Sequence, residues 1–284
     1  MIPAEFTYTA PDSLDAAVEA LRASDGDGMA LAGGQSLMPL LRLRLAYPES
    51  LIDLGRVPDL TGVRDDGDHL RIGAMTTYAQ IVTDPLVRAE CPLLAQAAAT
   101  VGDPAIRHRG TLGGALAHAD PAGDLPAVAV ALGAELILQG PGGTRVEAAP
   151  DFFVDYLSTT RGPDELVVAV RVPKLPGWGT HYAKFSRTAQ AWAIVAVAAA
   201  VKVTGGTIEE ARVGLTNMGP TPVRAREVES SIQGAPATRE ALRAAAAHAD
   251  DGTQPPSDLH GQADYRRHLA RELTERALAA AVGL

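Results

Sequence analysis

The chain has 284 residues, a net charge of -9, 46% hydrophobic residues and one cysteine. That length suits two ordinary domains or one large one, with a core that needs no disulfide or metal staple. The acidic balance argues against general binding to nucleic-acid phosphates or an anionic membrane surface, and the lone Cys91 cannot supply the four thiolates of an iron–sulfur cluster, so any such cluster belongs to another chain.

Met1 to Ala10 has neither a basic n-region nor an apolar h-region, so no signal peptide is expected. The first predicted element is a helix over Ser13 to Ala23, capped by Asp12 or Ser13, with Leu14, Ala17, Val18 and Leu21 on one face. A short strand, Met29 to Ala32, ends in Gly33-Gly34. A helix is expected over Ser36 to Leu45, a break at Tyr47-Pro48, and a strand over Leu51 to Leu54. Leu70 to Ala74 reads as a strand, Tyr78 to about Val87 as one helical stretch, and Leu93 to Val101 as another. Gly102 to Asp124, rich in Gly, Ala, Asp and His, has neither helical nor alternating periodicity. Pro126 to Leu132 resumes helix, Ala134 to Leu138 is a strand, and Gln139 to Thr144 is a turn.

A β-branched strand, Leu166 to Val172, precedes Pro173 to Gly179, where a domain boundary is expected. Strands follow over His181 to Ser186, Ile194 to Val203 and, after a Gly205-Gly206 hairpin turn, Ile208 to Leu215. The pattern turns helical from Glu227. The last segment, Asp264 to Val282, is an amphipathic helix with Leu269, Leu273, Ala277 and Leu278 on one face. The longest apolar run, Ala191 to Val201, falls short of the roughly 20 residues that cross a bilayer. No transmembrane segment is expected, and the chain reads as soluble and cytoplasmic. Strands and helices alternate without a clean βαβ rhythm, which predicts an α+β fold.

Two glycine-rich segments carry the functional reading. In Ala32-Gly33-Gly34-Gln35-Ser36-Leu37 a strand runs into a double glycine and then a helix N-terminus. Glycines let backbone amides converge, and the helix start adds unpaired N–H groups, a combination suited to a pyrophosphate. G-x-G-x-x-G is absent and no Lys follows the glycines, so neither a dinucleotide fingerprint nor a P-loop is present. A plain strand-to-helix turn explains the same residues. In the second segment, Thr111, Leu112, Gly113, Gly114 and Ala115 let a ligand approach the backbone closely, and Thr111 adds a hydroxyl. Asp120 and Asp124, just beyond, are candidates to accept hydrogen bonds from ribose or ribityl hydroxyls. The same stretch admits a metal site of His118, Asp120 and Asp124, or a loop held by Asx turns. Two separated glycine loops suit a long ligand with two polar ends, such as a dinucleotide.

The two motifs lie about 80 residues apart, flanked by Asp103-Pro104-Ala105-Ile106-Arg107 and by the Ala-Asp-Pro-Ala-Gly-Asp run. Together they resemble the FAD-binding medium subunit of the carbon monoxide dehydrogenase and xanthine dehydrogenase family. The likeness extends to Asp164-Glu165-Leu166, Tyr182 to Arg187, Gly214 to Asn217 and Tyr265 to Leu269, nearly the whole chain. It implies a two-lobed α+β FAD domain of the vanillyl-alcohol-oxidase type over residues 1-176, split near 56. A small α+β domain of the carbon monoxide dehydrogenase flavoprotein type would follow over 177-284. It also implies that Ala32 to Ser36 hold the pyrophosphate of FAD through backbone amides. Leu37 would continue that loop, and Thr111 to Ala115 would contact the diphosphate and ribityl region. Asp124, with Asp120 near it, would accept from FAD hydroxyls, Val101 would pack near the cofactor, and Leu166 and Lys184 would line its edge. Trp192 would stack over the isoalloxazine, unless it is a core residue at a strand start. The chain departs from the family at Ala115, where members often carry Asn, and at Gln35, where some carry His.

The resemblance implies an oxidoreductase divided among chains. A large subunit would oxidise the substrate at a molybdenum–pterin cofactor, and a small subunit would carry two 2Fe–2S clusters. The present chain would pass electrons through FAD to an external acceptor, with quinone favoured because no dinucleotide fingerprint supports NAD. The assembly would be a dimer of heterotrimers and the leading substrate carbon monoxide. The alternatives are a stand-alone FAD-dependent oxidoreductase, a non-catalytic nucleotide-binding module, or a scaffold that has lost its cofactor.

Overall fold

The computed structural model describes residues 2–284; Met1, the first residue of the expected N-terminal domain, lies outside the described residues. The chain opens with β1 (Thr7–Thr9), α1 (Leu14–Ala23), β2 (Gly28–Leu31), α2 (Leu37–Leu43) and β3 (Ser50–Asp53). The three strands form a parallel sheet in the order β1-β3-β2, and the crossovers that parallel strands require run through α1 and α2. Ser13 caps α1 by accepting from the Ala16 amide, and Ala17, Val18 and Leu21 are buried, as their helical spacing requires.

The next stretch contains β4 (Val63–Asp66), β5 (His69–Gly73), α3 (Tyr78–Thr83), α4 (Pro85–Glu90), α5 (Pro92–Ala99), α6 (Pro104–Arg107), α7 (Leu112–His118) and α8 (Asp124–Leu132). It continues with β6 (Glu135–Gly140), β7 (Gly143–Ala148), α9 (Ala149–Phe152), β8 (Phe153–Asp155), β9 (Ser158–Thr159) and β10 (Leu166–Pro173). The antiparallel sheet runs β4-β5-β10-β6-β7, so β10 returns late in the chain to sit at its centre. Leu166 and Val168 on β10 pack with Leu21, Ile52 and Leu54 of the first lobe, while Val167, Val170 and Val172 enter the core beneath the helices. One strand thereby joins both layers.

Three local expectations change. The stretch expected as one helix from Tyr78 to about Val87 is two, because Pro85 has no amide for the ladder; Asp84 instead caps α4, accepting from Leu86 and Val87. Gly102 to Asp124, without periodicity in sequence, contains α6 and α7, two helices too short to show a period. The turn expected over Gln139 to Thr144 narrows to Pro141-Gly142, because β6 and β7 pair up to Gly140 and Gly143.

The remainder is an antiparallel meander of β11 (Trp178–Phe185), β12 (Val195–Thr204), β13 (Thr207–Thr216) and β14 (Val223–Arg224), followed by α10 (Arg226–Ile232), α11 (Arg239–Ala246) and α12 (Ala263–Val282). β12 is covered on both faces: Ala196, Ala198 and Ala200 join the core of the central sheet, whereas Val195, Val197 and Val201 pack with Leu269, Leu273 and Leu278 of α12. The part of the continuous apolar run from Val195 to Val201 is thus a strand buried twice over, and Ala191 to Ile194 lead into it. The architecture is α+β throughout.

Candidate functional site

The first glycine loop leaves the end of β2 and enters α2. Gly34 has φ +73°, the left-handed region that an L side chain rarely adopts. Gly33 is glycine for another reason: a Cβ there would lie 1.9 Å from the Arg109 carbonyl oxygen, on the approach to the second glycine loop. The two loops touch backbone to backbone. Among the described residues, none accepts a hydrogen bond from the amides of Gly33, Gly34, Gln35, Ser36 or Leu37; the ladder of α2 begins with Met38 donating to Gly34. Five successive N–H groups are therefore free for a ligand.

The second loop is built differently. Thr111 is the N-cap of α7, its Oγ1 accepting from the Gly114 amide at 3.2 Å. The amides of Leu112 and Gly113 donate to the carbonyls of Thr76 and Ala74, and that of Ala115 to Thr111. This stretch therefore offers a ligand a small-residue wall, since its amides from Leu112 to Ala115 are already bonded. A Cβ at Gly113 would fall 2.4 Å from the Ala74 side chain, so this glycine serves the packing of α7 on the central sheet. Leu112 itself is buried beneath the loop.

Both loops line one cleft of about 590 Å³ between the lobes. Its walls include Ala32, Gly33, Gly34, Gln35, Ser36, Leu37, Thr111, Gly113, Gly114, Ala115 and Leu166. Free amides and a shallow glycine wall fit a long ligand carrying phosphate, and the cleft lies in the size range of small-molecule sites. Sequence reasoning missed Tyr78, Arg161 and Glu165, which also line it. Glu165 accepts from both arms of Arg145 at 2.7 and 2.8 Å, and from the Gly162 amide at 2.7 Å. That bidentate contact, more than any other, holds the Glu165 carboxyl below its usual range. Only the neighbouring Asp164-Glu165-Leu166 signal pointed here.

Besides Leu112, five expected site residues lie off this cleft. Asp124 is buried, its two oxygens engaged by the Tyr182 hydroxyl at 2.7 Å and the Lys184 ammonium at 2.8 Å. Burial pushes its carboxyl up, and Lys184 and Tyr182 pull against that shift. Each Asp124 oxygen thus already accepts one bond within the chain, and Lys184, also bonded to the Thr100 carbonyl, is buried with it rather than lining the cleft. Val101 packs against the central core, its carbonyl accepting from Arg107. Asp120 and Trp192 line a second cleft of about 670 Å³ with Tyr156, Arg187, Asn217 and Arg266. Trp192 is 56% exposed, so it is not a core residue. Asp120 accepts from the Ala122 amide, an Asx turn. Among the described residues, no three of His, Cys, Asp and Glu converge, and His118, Asp120 and Asp124 do not form a set.

Two family models cover the chain. "FAD binding domain in molybdopterin dehydrogenase" matches residues 4–175, and "CO dehydrogenase flavoprotein C-terminal domain" matches residues 180–281. The chain is 41% identical over 282 residues to the carbon monoxide dehydrogenase medium chain of Hydrogenophaga pseudoflava, covering 99% of this chain and 98% of that one. It is 37% identical to the glyceraldehyde dehydrogenase medium chain of Sulfolobus acidocaldarius, covering 98% of each. The structure of carbon monoxide dehydrogenase from Hydrogenophaga pseudoflava superposes with a TM-score of 0.97 at 42% identity, covering 99% of both chains.

Proposed function

This chain belongs to the family of FAD-binding medium chains of the molybdopterin dehydrogenases, and from that premise we propose that it relays electrons within a larger oxidoreductase. The observation that carries the reading is the run of free amides from Gly33 to Leu37 facing the glycine wall of α7 across one cleft. Ala32 to Leu37 would hold the diphosphate of FAD by backbone N–H groups. Thr111, Gly113, Gly114 and Ala115 would let the cofactor lie close to the helix, and Leu166 would pack along its edge. Asp124, Lys184 and Tyr182 would act from beneath, fixing the loop between α7 and α8. Val101 would back that support, and Asp120 and Trp192 would frame the neighbouring cleft where an external acceptor approaches. Bound flavin would supply the exchange between one- and two-electron transfer; the chain's part is to bind, orient and shield it.

On this reading the chain divides into an FAD-binding domain over 1-176, with lobes meeting near 56, and a C-terminal domain over 177-284. Its partners are a small subunit with two 2Fe–2S clusters and a large subunit with the molybdenum–pterin cofactor, assembled as a dimer of heterotrimers in the cytoplasm. Among the described residues, no helix is long and apolar enough to cross a membrane. Carbon monoxide is the proposed substrate of the complex, on the similarity to the Hydrogenophaga chain, and quinone the proposed acceptor, since no dinucleotide fingerprint is present for NAD.

The test is to purify the chain alone and with the proteins that accompany it, recording the visible spectrum and the cofactor released by heat. FAD near one per chain, with iron–sulfur absorption in the accompanying chain, supports the relay. A folded, colourless chain in both preparations overturns it in favour of a nucleotide-binding module. Turnover of an organic substrate by the isolated chain would favour a stand-alone oxidoreductase.

A further inference from the structure

We propose that Arg161 is the cation that meets the negative charge of the bound flavin dinucleotide, an inference that rests on the flavin reading above. Arg161 stands half-buried on the wall of the first cleft, in the turn that leads into β10. Among the described residues that line this cleft it is the one Lys or Arg. Its Nη1 donates to the carbonyls of Gly162 at 2.7 Å and Glu165 at 2.8 Å, which locks the turn. The nearby carboxylate of Glu165 is taken by Arg145 and the Gly162 amide, and no described residue forms an ion pair with Arg161. Nε and Nη2 have no protein acceptor and neither is a buried orphan, so both remain accessible on a residue that lines the cleft. Burial disfavours the charged guanidinium here, and the nearby Glu165 and Asp164 carboxylates pull against that shift without pairing with it.

A flavin dinucleotide carries negative charge in two places: on the diphosphate, and on the isoalloxazine ring once it is reduced. A planar guanidinium with two donors free is suited to either. The wall opposite offers neutral amides, so the charge balance of the loaded cleft falls to Arg161.

The experiment uses the full chain stripped of flavin and titrated with FAD and with riboflavin, as wild type, R161Q and R161K, followed by redox titration of the bound flavin. Weakening of FAD by about tenfold or more in R161Q, with riboflavin unchanged and partial recovery in R161K, places the contact at the diphosphate. Unchanged affinities with a more negative midpoint potential in R161Q, restored in R161K, place it at the reduced ring. Unchanged FAD affinity together with unchanged potential overturns the proposal. Equal weakening of FAD and riboflavin that Lys does not restore also overturns it, because that is the signature of a turn lock alone. A folded wild-type chain that binds no FAD sinks the flavin reading itself.

Discussion

At Gly33 and Gly34 two adjacent glycines answer different demands, and mutation separates them. Gly33→Ala sets a Cβ against the Arg109 carbonyl oxygen, so the loops must part. The expected cost is about 1–3 kcal/mol, with loss of flavin on purification. Gly34→Ala meets strain from φ +73° instead, expected at roughly 1–2 kcal/mol. Urea unfolding with flavin content reads both, and a Gly33→Ala chain with unchanged midpoint and full flavin would refute the loop contact. The buried Asp124–Lys184 pair makes a larger effect. Its side chains are 4% and 7% exposed, so Asp124→Ala leaves an ammonium buried without its partner, expected to cost about 3–5 kcal/mol. Replacing both, Asp124→Leu with Lys184→Met, should recover most of that loss. If the double variant is no more stable than the single one, the pair is not the cause.

Short helices set the geometry of the cleft, and caps set the short helices. α7 has seven residues, too few to be stable alone, and begins at Thr111 with a side-chain bond to the Gly114 amide. Thr111→Val should cost about 1 kcal/mol and weaken flavin binding, while Thr111→Ser should retain both. Equal flavin affinity in all three proteins would show that the cap does not shape the wall. The turn before β10 is held by Glu165 between Arg145 and the Gly162 amide. Because the Glu165 pKa is depressed on folding, its contribution is present above its unfolded value and lost as pH falls below about 4.5. Acid unfolding should therefore be less steep for Glu165→Gln than for wild type below that pH, with the variant already weaker at pH 7. Parallel stability curves from pH 7 to pH 3 would contradict this.

The three larger sheets share their cores. Ala196, Ala198, Ala200 and Tyr182 from the C-terminal meander pack into the core of the central sheet, and α8 approaches β13 so closely that a Cβ at Gly214 would lie 2.3 Å from the Ala127 carbonyl oxygen. Separating the C-terminal part would expose this apolar face. The expectation is a single cooperative thermal transition for the whole chain, raised by FAD; at a concentration one hundred times Kd the added stability is about 2.7 kcal/mol. Two resolved calorimetric transitions, with flavin moving only the first, would mean that the shared core does not couple the parts.

What the amino-acid order determined by itself was local. Strand, double glycine and helix start at Ala32 to Leu37 are legible because backbone conformation and the absence of a Cβ are properties of neighbours in sequence. The α+β alternation, the capped α1 and the amphipathic α12 follow from the same short-range patterns. Within Tyr78 to Val87 Pro85 starts a second helix against the continuous apolar spacing, and Gly102 to Asp124 holds two helices shorter than any readable period. Pairing between distant side chains was decided by tertiary structure. Asp124 and Lys184 lie far apart in the chain, and only the packing of α8 against β12 and β13 of the meander brings them together, off the lining of the cleft. Trp192, which its sequence neighbours suit equally to stacking or burial, is exposed on a second cleft; Arg161, in a turn with no motif, lines the first. A side chain's partner depends on which surfaces meet after the chain returns on itself, as β10 does between β5 and β6, and no local spacing encodes that encounter.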